Sequence, residues 1–296
     1  MTAPAEISIV VPTFERPAEL ARCLDGVAAM AGAGPGLEVV VVNDGGPAPP
    51  AGLVERLRGR LDLVIASQPR RGPAAARNTG IARARGAFVA FLDDDCVPAP
   101  GWLAALGARL AADPDAAVGG RTVNALPDNA FSSASQLLMD HLYEHHNGDG
   151  AEPRFLASNN VAFPRRALLD LGGFDAAFPR PAGEDRELCD RWRRHGHRMA
   201  FAPDAIVHHA HVLGPATFWR QHFAYGRGAY AFRRARARHD GVAIPFEPAR
   251  FYADLVRAPL RRGGGARAVG LATLLLVAQL ANAAGYAWER TRVART

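Results

Sequence analysis

Short runs that are mostly apolar, at residues 7–11, 37–42, 61–67 and 87–92, read as strands. Between them, stretches at 18–30, 53–60 and 74–85 mix apolar and polar positions in the manner of helices packed on one side. A strand with no polar alternation is covered on both faces, and strands alternating with helices predict a doubly wound, mostly parallel α/β sheet. Beyond residue 100 the pattern is less regular. Residues 117–123 and 155–163 read as strands and 131–146 as a helix; 184–195 is a helix closed by Gly196, 198–202 is a short apolar run, and 215–238 is a long basic helix. The run Gly263-Gly264-Gly265 is the clearest linker, and no internal repeat is visible.

In an open parallel sheet, ligands bind beyond the carboxyl ends of the strands. The residues at those positions are polar here. Pro12-Thr13-Phe14-Glu15-Arg16-Pro17 follows the first strand, Asn43-Asp44-Gly45-Gly46 the second and Asp93-Asp94-Asp95 the fourth. If the strands are parallel, all three segments share one edge and form one site.

The acidic triplet carries the most chemistry. Three adjacent carboxylates at a half-buried strand end repel one another, and a divalent cation removes that cost. Magnesium and manganese take oxygen ligands and share them with substrate phosphates. A solvated acidic turn, or a helix cap ahead of residues 98–102, explains the same three residues without a metal. The other motifs also have ordinary readings. Asn43-Asp44-Gly45-Gly46 is favoured in any turn, Arg77 suits a helix-surface ion pair, and Glu184 and Asp185 suit the first turn of a helix, whose dipole favours acids. His208, His209 and His211 lie in an extended segment, where neighbouring side chains face opposite ways, so not all three can hold one ion.

Composition narrows the partner class. The 35 basic residues are all arginine, which reads as compositional bias beside the abundant alanine. Residues 1–226 carry 22 arginines and 25 acids, whereas 227–296 carry 13 and 4, so the net charge of +6 resides in the C-terminal quarter. No nucleic-acid-reading motif accompanies that charge, and nucleic acid is not an expected partner. Cys23, Cys96 and Cys189 lack zinc-site spacing and read as buried thiols of a reducing cytosol. The polar opening residues do not resemble a signal peptide. Residues 268–288 carry no charge and are flanked by arginines on both sides. Their length matches the ~20 residues of a spanning helix, but Thr273, Gln279 and Asn282 interrupt them. Spanning the membrane, lying on it and packing on the protein all stay open.

Val10-Val11-Pro12-Thr13-Phe14, Val42-Asn43-Asp44-Gly45-Gly46, Ala76-Arg77-Asn78-Thr79-Gly80, Phe91-Leu92-Asp93-Asp94-Asp95 and Gly183-Glu184-Asp185 occur in that order. The set resembles the family 2 glycosyltransferases of GT-A fold, over roughly residues 6–225. The resemblance implies two regions: a nucleotide-sugar-binding catalytic domain over 1–226, and a basic helical extension over 227–296. It further implies that Asp44 accepts the N3–H of a uracil or thymine base, that Pro12, Thr13 and Glu15 line the nucleoside pocket, and that Arg77 lies near the nucleotide. Asp93-Asp94-Asp95 matches the DXD element. Asp95 would be the direct ligand of Mn2+ or Mg2+, with Asp93 at the ribose or the metal and Asp94 beside the nucleotide. His209 would be a third ligand or a phosphate contact. Asp185 would be the general base of an inverting transfer, supported by Glu184; a retaining outcome shares the same metal element. Ser158-Asn159-Asn160 would border sugar and acceptor, and 219–228 resembles a segment of membrane-associated members. The acceptor would be a saccharide or lipid-linked, met in the cytoplasm or at the cytoplasmic face of a membrane.

Two other classes fit parts of this pattern. A sugar nucleotidyltransferase also uses an α/β sheet and a metal, but the loop after its first strand is glycine-rich, unlike Pro12–Arg16. A non-catalytic module at a membrane surface has no need of Asp185.

Overall fold

The computed structural model describes residues 6–30, 36–148, 152–178, 182–241, 244–263 and 265–294. The N-terminal third folds as its pattern predicts. Strands β1 (Ile7–Thr13), β2 (Leu37–Asn43), β3 (Asp62–Ser67) and β4 (Phe88–Leu92) alternate with helices α1 (Pro17–Ala29), α2 (Ala51–Arg58) and α3 (Pro73–Arg83). There follow β5 (Cys96–Pro98), α4 (Trp102–Ala112), β6 (Ala117–Asn124), α5 (Ala130–Asn147), β7 (Asn160–Pro164), α6 (Arg165–Asp170), α7 (Glu184–Arg194) and β8 (Met199–His209). Three helices close the chain: α8 (Pro215–Asp240), α9 (Ala249–Arg262) and α10 (Ala266–Ala294).

The eight strands form one sheet in the order β3-β2-β1-β4-β7-β6-β8-β5. β3, β2, β1 and β4 are parallel, as are β6 and β8, whereas β7 runs antiparallel to β4 and β6, and β5 antiparallel to β8. Alternate residues feed two cores. Ile9, Val11, Val39, Val41 and Leu92 pack under α1 and α4 with Leu20, Trp102 and Leu106. Val10, Val40, Val42 and Phe91 pack on the other face with Ile81, Leu168 and Trp192. Burial on both sides is why these strands read as mostly apolar runs.

Two elements differ from the expectation. The strand expected over 155–163 is only Asn160–Pro164, and the short run at 198–202 begins an 11-residue strand. The pairing of β6 with β8 carries a register shift between Gly120 and Arg121. Buried Asn160 fills the irregularity: its Nδ2 donates to the carbonyls of Arg121 and Ala205 at 3.1 and 2.9 Å, and its Oδ1 accepts from Trp102 Nε1 at 2.8 Å. Asn160 is therefore a strut of the sheet, while its neighbours Ser158 and Asn159 face a cavity.

The charge-based division at residue 226 falls inside α8. Helices α8 and α10 touch backbone to backbone. A Cβ on Gly226 would lie 1.9 Å from the Asn282 carbonyl oxygen, and one on Gly285 1.9 Å from that of Phe223. Arg227 Nε adds a 2.5 Å bond to the buried Glu289 carboxylate. On its other side α8 presses on the turn ahead of α7, where a Cβ on Gly228 would meet the Ala182 carbonyl at 2.3 Å. The C-terminal helices are thus packed against the segment that carries Glu184 and Asp185.

Candidate active site

Parallel pairing brings the polar residues after β1, β2 and β4 to one edge. The Asp44 amide donates to the Thr13 carbonyl at 2.9 Å, and the Gln68 amide to that of Asn43 at 3.0 Å, so the three strand ends lie in a row. Asp44 is buried and fixed from three sides. Its Oδ1 accepts from Gln68 Nε2 at 2.7 Å and from the Arg71 amide at 2.9 Å, and its Oδ2 from the Gly72 amide at 2.8 Å. Each carboxylate oxygen has two lone pairs, so one acceptor position on Oδ2 remains by count. Pro12 closes β1. Glu15 is exposed and holds a left-handed backbone (φ 54°) that carries it toward Gly46, whose Cβ would lie 2.9 Å from Glu15 Cγ. Beside them Arg70 stacks on the Phe14 ring, 3.9 Å from its centroid.

The acidic triplet is neutralised from three directions. Asp94 accepts from Thr13 Oγ1 and from Arg16 Nη1, both at 2.8 Å, and burial pushes its carboxyl up to about 7 against both partners. Asp95 accepts from Arg16 Nη2 at 2.8 Å and faces His209 Nε2 at 3.3 Å. Burial opposes its charge, but His209 and Arg16 together hold its carboxyl well below the usual range. For His209 burial again works against the charge, and the Asp95 carboxylate overrides it and raises the imidazole. Asp93 turns the other way and accepts from Arg77 Nη2 at 2.8 Å.

Asp95, Cys96 and His209 offer ligand atoms within 4.8 Å of one another. Burial raises the Cys96 thiol well above its ordinary range, and the oxygen and nitrogen donors of the cluster are the Asp95 carboxylate and the His209 imidazole. That oxygen and nitrogen pair suits Mn2+ or Mg2+ sharing its remaining positions with phosphates. Asp93, held by Arg77, stands apart from this cluster. His208 points away, as alternation in a strand requires, and the His211 ring lies against that of His209 with centroids 4.9 Å apart.

Arg77 was expected near the nucleotide; it is buried and bridges two acids, Asp93 and, through Nη1 at 3.0 Å, Glu184. Its Nε has no hydrogen-bond partner among the described residues. Glu184 and Asp185 open α7 after Gly183, whose left-handed φ of 88° suits glycine. Glu184 also accepts from the Ala182 amide at 2.9 Å, and Asp185 from the Arg186 amide at 2.8 Å. Burial raises both carboxyls; Asp185 adds to the rise on Glu184, and Arg77 opposes it on both. A buried carboxylate with a raised pKa is suited to taking a proton near neutral pH. One cavity of about 1240 Å3 joins these groups, with Asp93 and His209 at one side and Glu184 and Asp185 within it.

The sequence reading did not assign roles to Arg16 or Gln68. Arg16 stood in a quoted motif, but an excess of arginine throughout the chain masked it. Gln68 lies just past β3, at a strand end that carries no recognisable motif.

Comparison with known proteins decides the family. The family model "Glycosyl transferase family 2" matches residues 8–172. The chain belongs to glycosyl transferase family 2. Its relatives include the "Pre-mycofactocin glycosyltransferase" of Mycobacterium tuberculosis, 30% identical over 211 residues, which cover 70% of this chain and 43% of that protein. "Glycosyltransferase AglE" of Haloferax volcanii is 27% identical over 227 residues, covering 75% of this chain and 72% of that one. The chain thus spans less than half the length of the mycobacterial relative. Among solved structures, the mannosyltransferase PcManGT from Pyrobaculum calidifontis, in complex with GDP-Man and Mn2+, superposes with a TM-score of 0.62 at 21% identity, over 95% of this chain and 88% of that one. S. aureus TarS 1-349 in complex with UDP-GlcNAc superposes at 0.52 with 16% identity, over 98% and 92%. The glycosyltransferase therefore has the GT-A fold.

The buried acids give this enzyme a pH signature. A carboxyl raised by folding weighs on the native state once pH exceeds the unfolded value of ~4, and the full cost is present above the folded pKa. Asp185→Asn removes the charge and keeps the acceptor oxygen. We expect its Tm to exceed the parent's at pH 8 by about 2–4 °C for each kcal/mol relieved, with the difference vanishing near pH 4. Scanning calorimetry of both proteins across that range measures it; a lower Tm for the variant at pH 8 would show that Asp185 is not held under such strain.

Proposed function

We propose that this glycosyltransferase moves a sugar from a UDP- or dTDP-sugar to an acceptor hydroxyl, with inversion at the anomeric carbon and with Mn2+ or Mg2+ bound. The observation that carries the reading is the single cavity reaching from Asp93 and His209 to Asp185. Asp44, with one free acceptor position, is the partner for the base N3–H, and Pro12, Thr13 and Glu15 border the nucleoside. The limited resemblance to PcManGT, whose complex holds GDP-Man, and to TarS, whose complex holds UDP-GlcNAc, supports a nucleotide-sugar donor without choosing the base.

Asp95 and His209 would hold the divalent ion, which when bound neutralises charge on the departing diphosphate. Arg16, now on Asp94 and Asp95, supplies a second positive group at the same place. Asp185 takes the proton from the acceptor hydroxyl as its oxygen attacks the anomeric carbon. Glu184 is tied to Arg77 and so fixes the start of α7 around its neighbour. The nucleotidyltransferase alternative has no support in the family match, which is to glycosyl transferases.

A membrane-surface location is the second part of the reading. Helix α10 is 29 residues long, an 18-residue stretch of it has a mean hydropathy of 1.6, and it is long and apolar enough to cross a membrane. Yet one face is packed on the protein through Ala272, Leu275, Ala278 and Gly285, while Val269, Leu276, Leu280 and Trp288 are exposed on the other. Crossing a bilayer would strip α10 from α8 and leave the Arg227–Glu289 pair unshielded. Lying on the surface keeps both, and nearby arginines attract anionic lipid at about 1 kcal/mol each, an effect that salt weakens.

Two measurements check these statements. Release of nucleoside diphosphate from a panel of UDP-, dTDP- and GDP-sugars with Mn2+ should be fastest for uracil or thymine donors. Asp185→Asn should bind the preferred donor but transfer about 10²–10⁴-fold more slowly. Turnover confined to GDP-sugars would remove the role given to Asp44, and an active Asn variant the role given to Asp185. In flotation assays the full chain should rise with anionic vesicles at low salt and less at high salt, and Leu276→Glu with Leu280→Glu should abolish this. Absence of the parent chain from anionic vesicles would show that the outer face of α10 is not a membrane contact.

A further inference from the structure

The cavity beside Asp185 extends well past the catalytic acids. Its far walls come from α5, α8, α9, α10 and the segment before α9. Phe155, Phe201, Tyr225, Phe232, Phe251 and Tyr286 line it, and Phe155, Phe232 and Phe251 are buried. Glu247, which lines it, bonds His145 of α5 at 2.8 Å. At about 1240 Å3 it exceeds the ~300–1,000 Å3 of an ordinary small-molecule pocket. A donor sugar at Asp93 and His209 leaves most of that space for one further molecule of limited size.

Two polar atoms stand out against the aromatic wall. Gln279 Nε2 and Asn282 Oδ1, both on α10 and on residues that line the cavity, are buried with no hydrogen-bond partner among the described residues. Positions three apart on a helix are neighbours on its surface. An unpaired donor and an unpaired acceptor side by side carry a desolvation cost, which a bound group offering both partners removes. Helix α10 meets α8 backbone to backbone at this point, where a Cβ on Gly226 would lie 1.9 Å from the Asn282 carbonyl oxygen.

We propose that α10 is the acceptor-reading element, and that the acceptor presents its hydroxyl to Asp185 on a compact apolar body bearing one amide- or hydroxyl-type group for Gln279 and Asn282. This rests on the glycosyl-transfer reading and narrows it: the aromatic side of the cavity, where Phe155, Phe232 and Phe251 are buried, suits an aryl or alkyl scaffold. Residues Gln279 and Asn282 are then specificity residues, and Asp185 remains the base.

Calorimetric titration of the full chain, with UDP and Mn2+ present, tests the proposal independently of turnover. The probes are phenyl β-glucoside, octyl β-glucoside below its micelle concentration, methyl β-glucoside and cellotetraose. Phenyl or octyl glucoside should bind at least about 10-fold more tightly than methyl glucoside and cellotetraose; the better of the two distinguishes an aryl from an aliphatic body. Gln279→Leu and Asn282→Leu should each weaken binding of the preferred probe by about 10-fold, the scale of one hydrogen bond. Their hydrolysis of donor without acceptor should match the parent, which shows that the fold and the donor site are intact. Cellotetraose binding as tightly as either apolar probe would overturn the apolar-acceptor assignment. Unchanged affinity in both variants would overturn the role of α10. Failure of donor hydrolysis in the parent, with apolar probes still bound, would overturn the glycosyl-transfer reading alone.

Discussion

Three consecutive carboxylates at the buried end of β4 cannot stand unneutralised, and much of the surrounding structure answers that constraint. Arg16 reaches from the loop after β1 to Asp94 and Asp95, His209 arrives from the end of β8, and Arg77 takes Asp93 from α3. Each of these cations comes from a different part of the chain. They converge only because β1 and β4 are parallel neighbours and because β8 carries its last residue beside β5, where Cys96 pairs with His209. The same convergence leaves Arg77 shared with Glu184, so the triplet and the acids that open α7 are tied through one buried guanidinium. Pairs of this kind are costly to break, since removing one partner leaves a buried charge.

The second consequence concerns the C-terminal helices. They are not an appendage beside a finished catalytic unit. Helix α8 lies against the turn at Ala182 and Gly183, α10 lies against α8, and together they enclose the space in front of Asp185. Of the three placements open for residues 268–288, packing on the protein is the one α10 adopts on one face: Gln279, Asn282 and Tyr286 line the cavity, while Leu276, Leu280 and Trp288 are exposed.

Much of the fold was legible in the sequence because burial on both faces writes itself as a mostly apolar run. β1, β2, β3 and β4 were found that way, and the polar residues after three of them marked the site edge. Strand direction is not written in periodicity, so the reversal of β7 could not be read. Helix α9 escaped notice because Pro259 and its arginines disguise a helical pattern. At the site, Asp44, Asp95, Asp185 and His209 were named from motifs, but what holds them was not. Arg16 was hidden by the chain's arginine bias, and the bridge from Arg77 to Glu184 joins residues 107 positions apart. Gln279 and Asn282 were taken as interruptions of an apolar run; their polarity belongs to the cavity, which only the packing of α10 on α8 creates.

The central claim is that the charge of the triplet is there for a divalent ion held with the donor's diphosphate. Electron paramagnetic resonance of Mn2+ measures this directly, because the six-line signal of the free aquo ion is lost on binding. With UDP present, the parent chain should remove about one equivalent of the signal, and Asp95→Ala should leave it nearly intact while keeping the parent's circular dichroism. Equal loss of signal in parent and variant, or no loss in the parent at any UDP concentration, would contradict it.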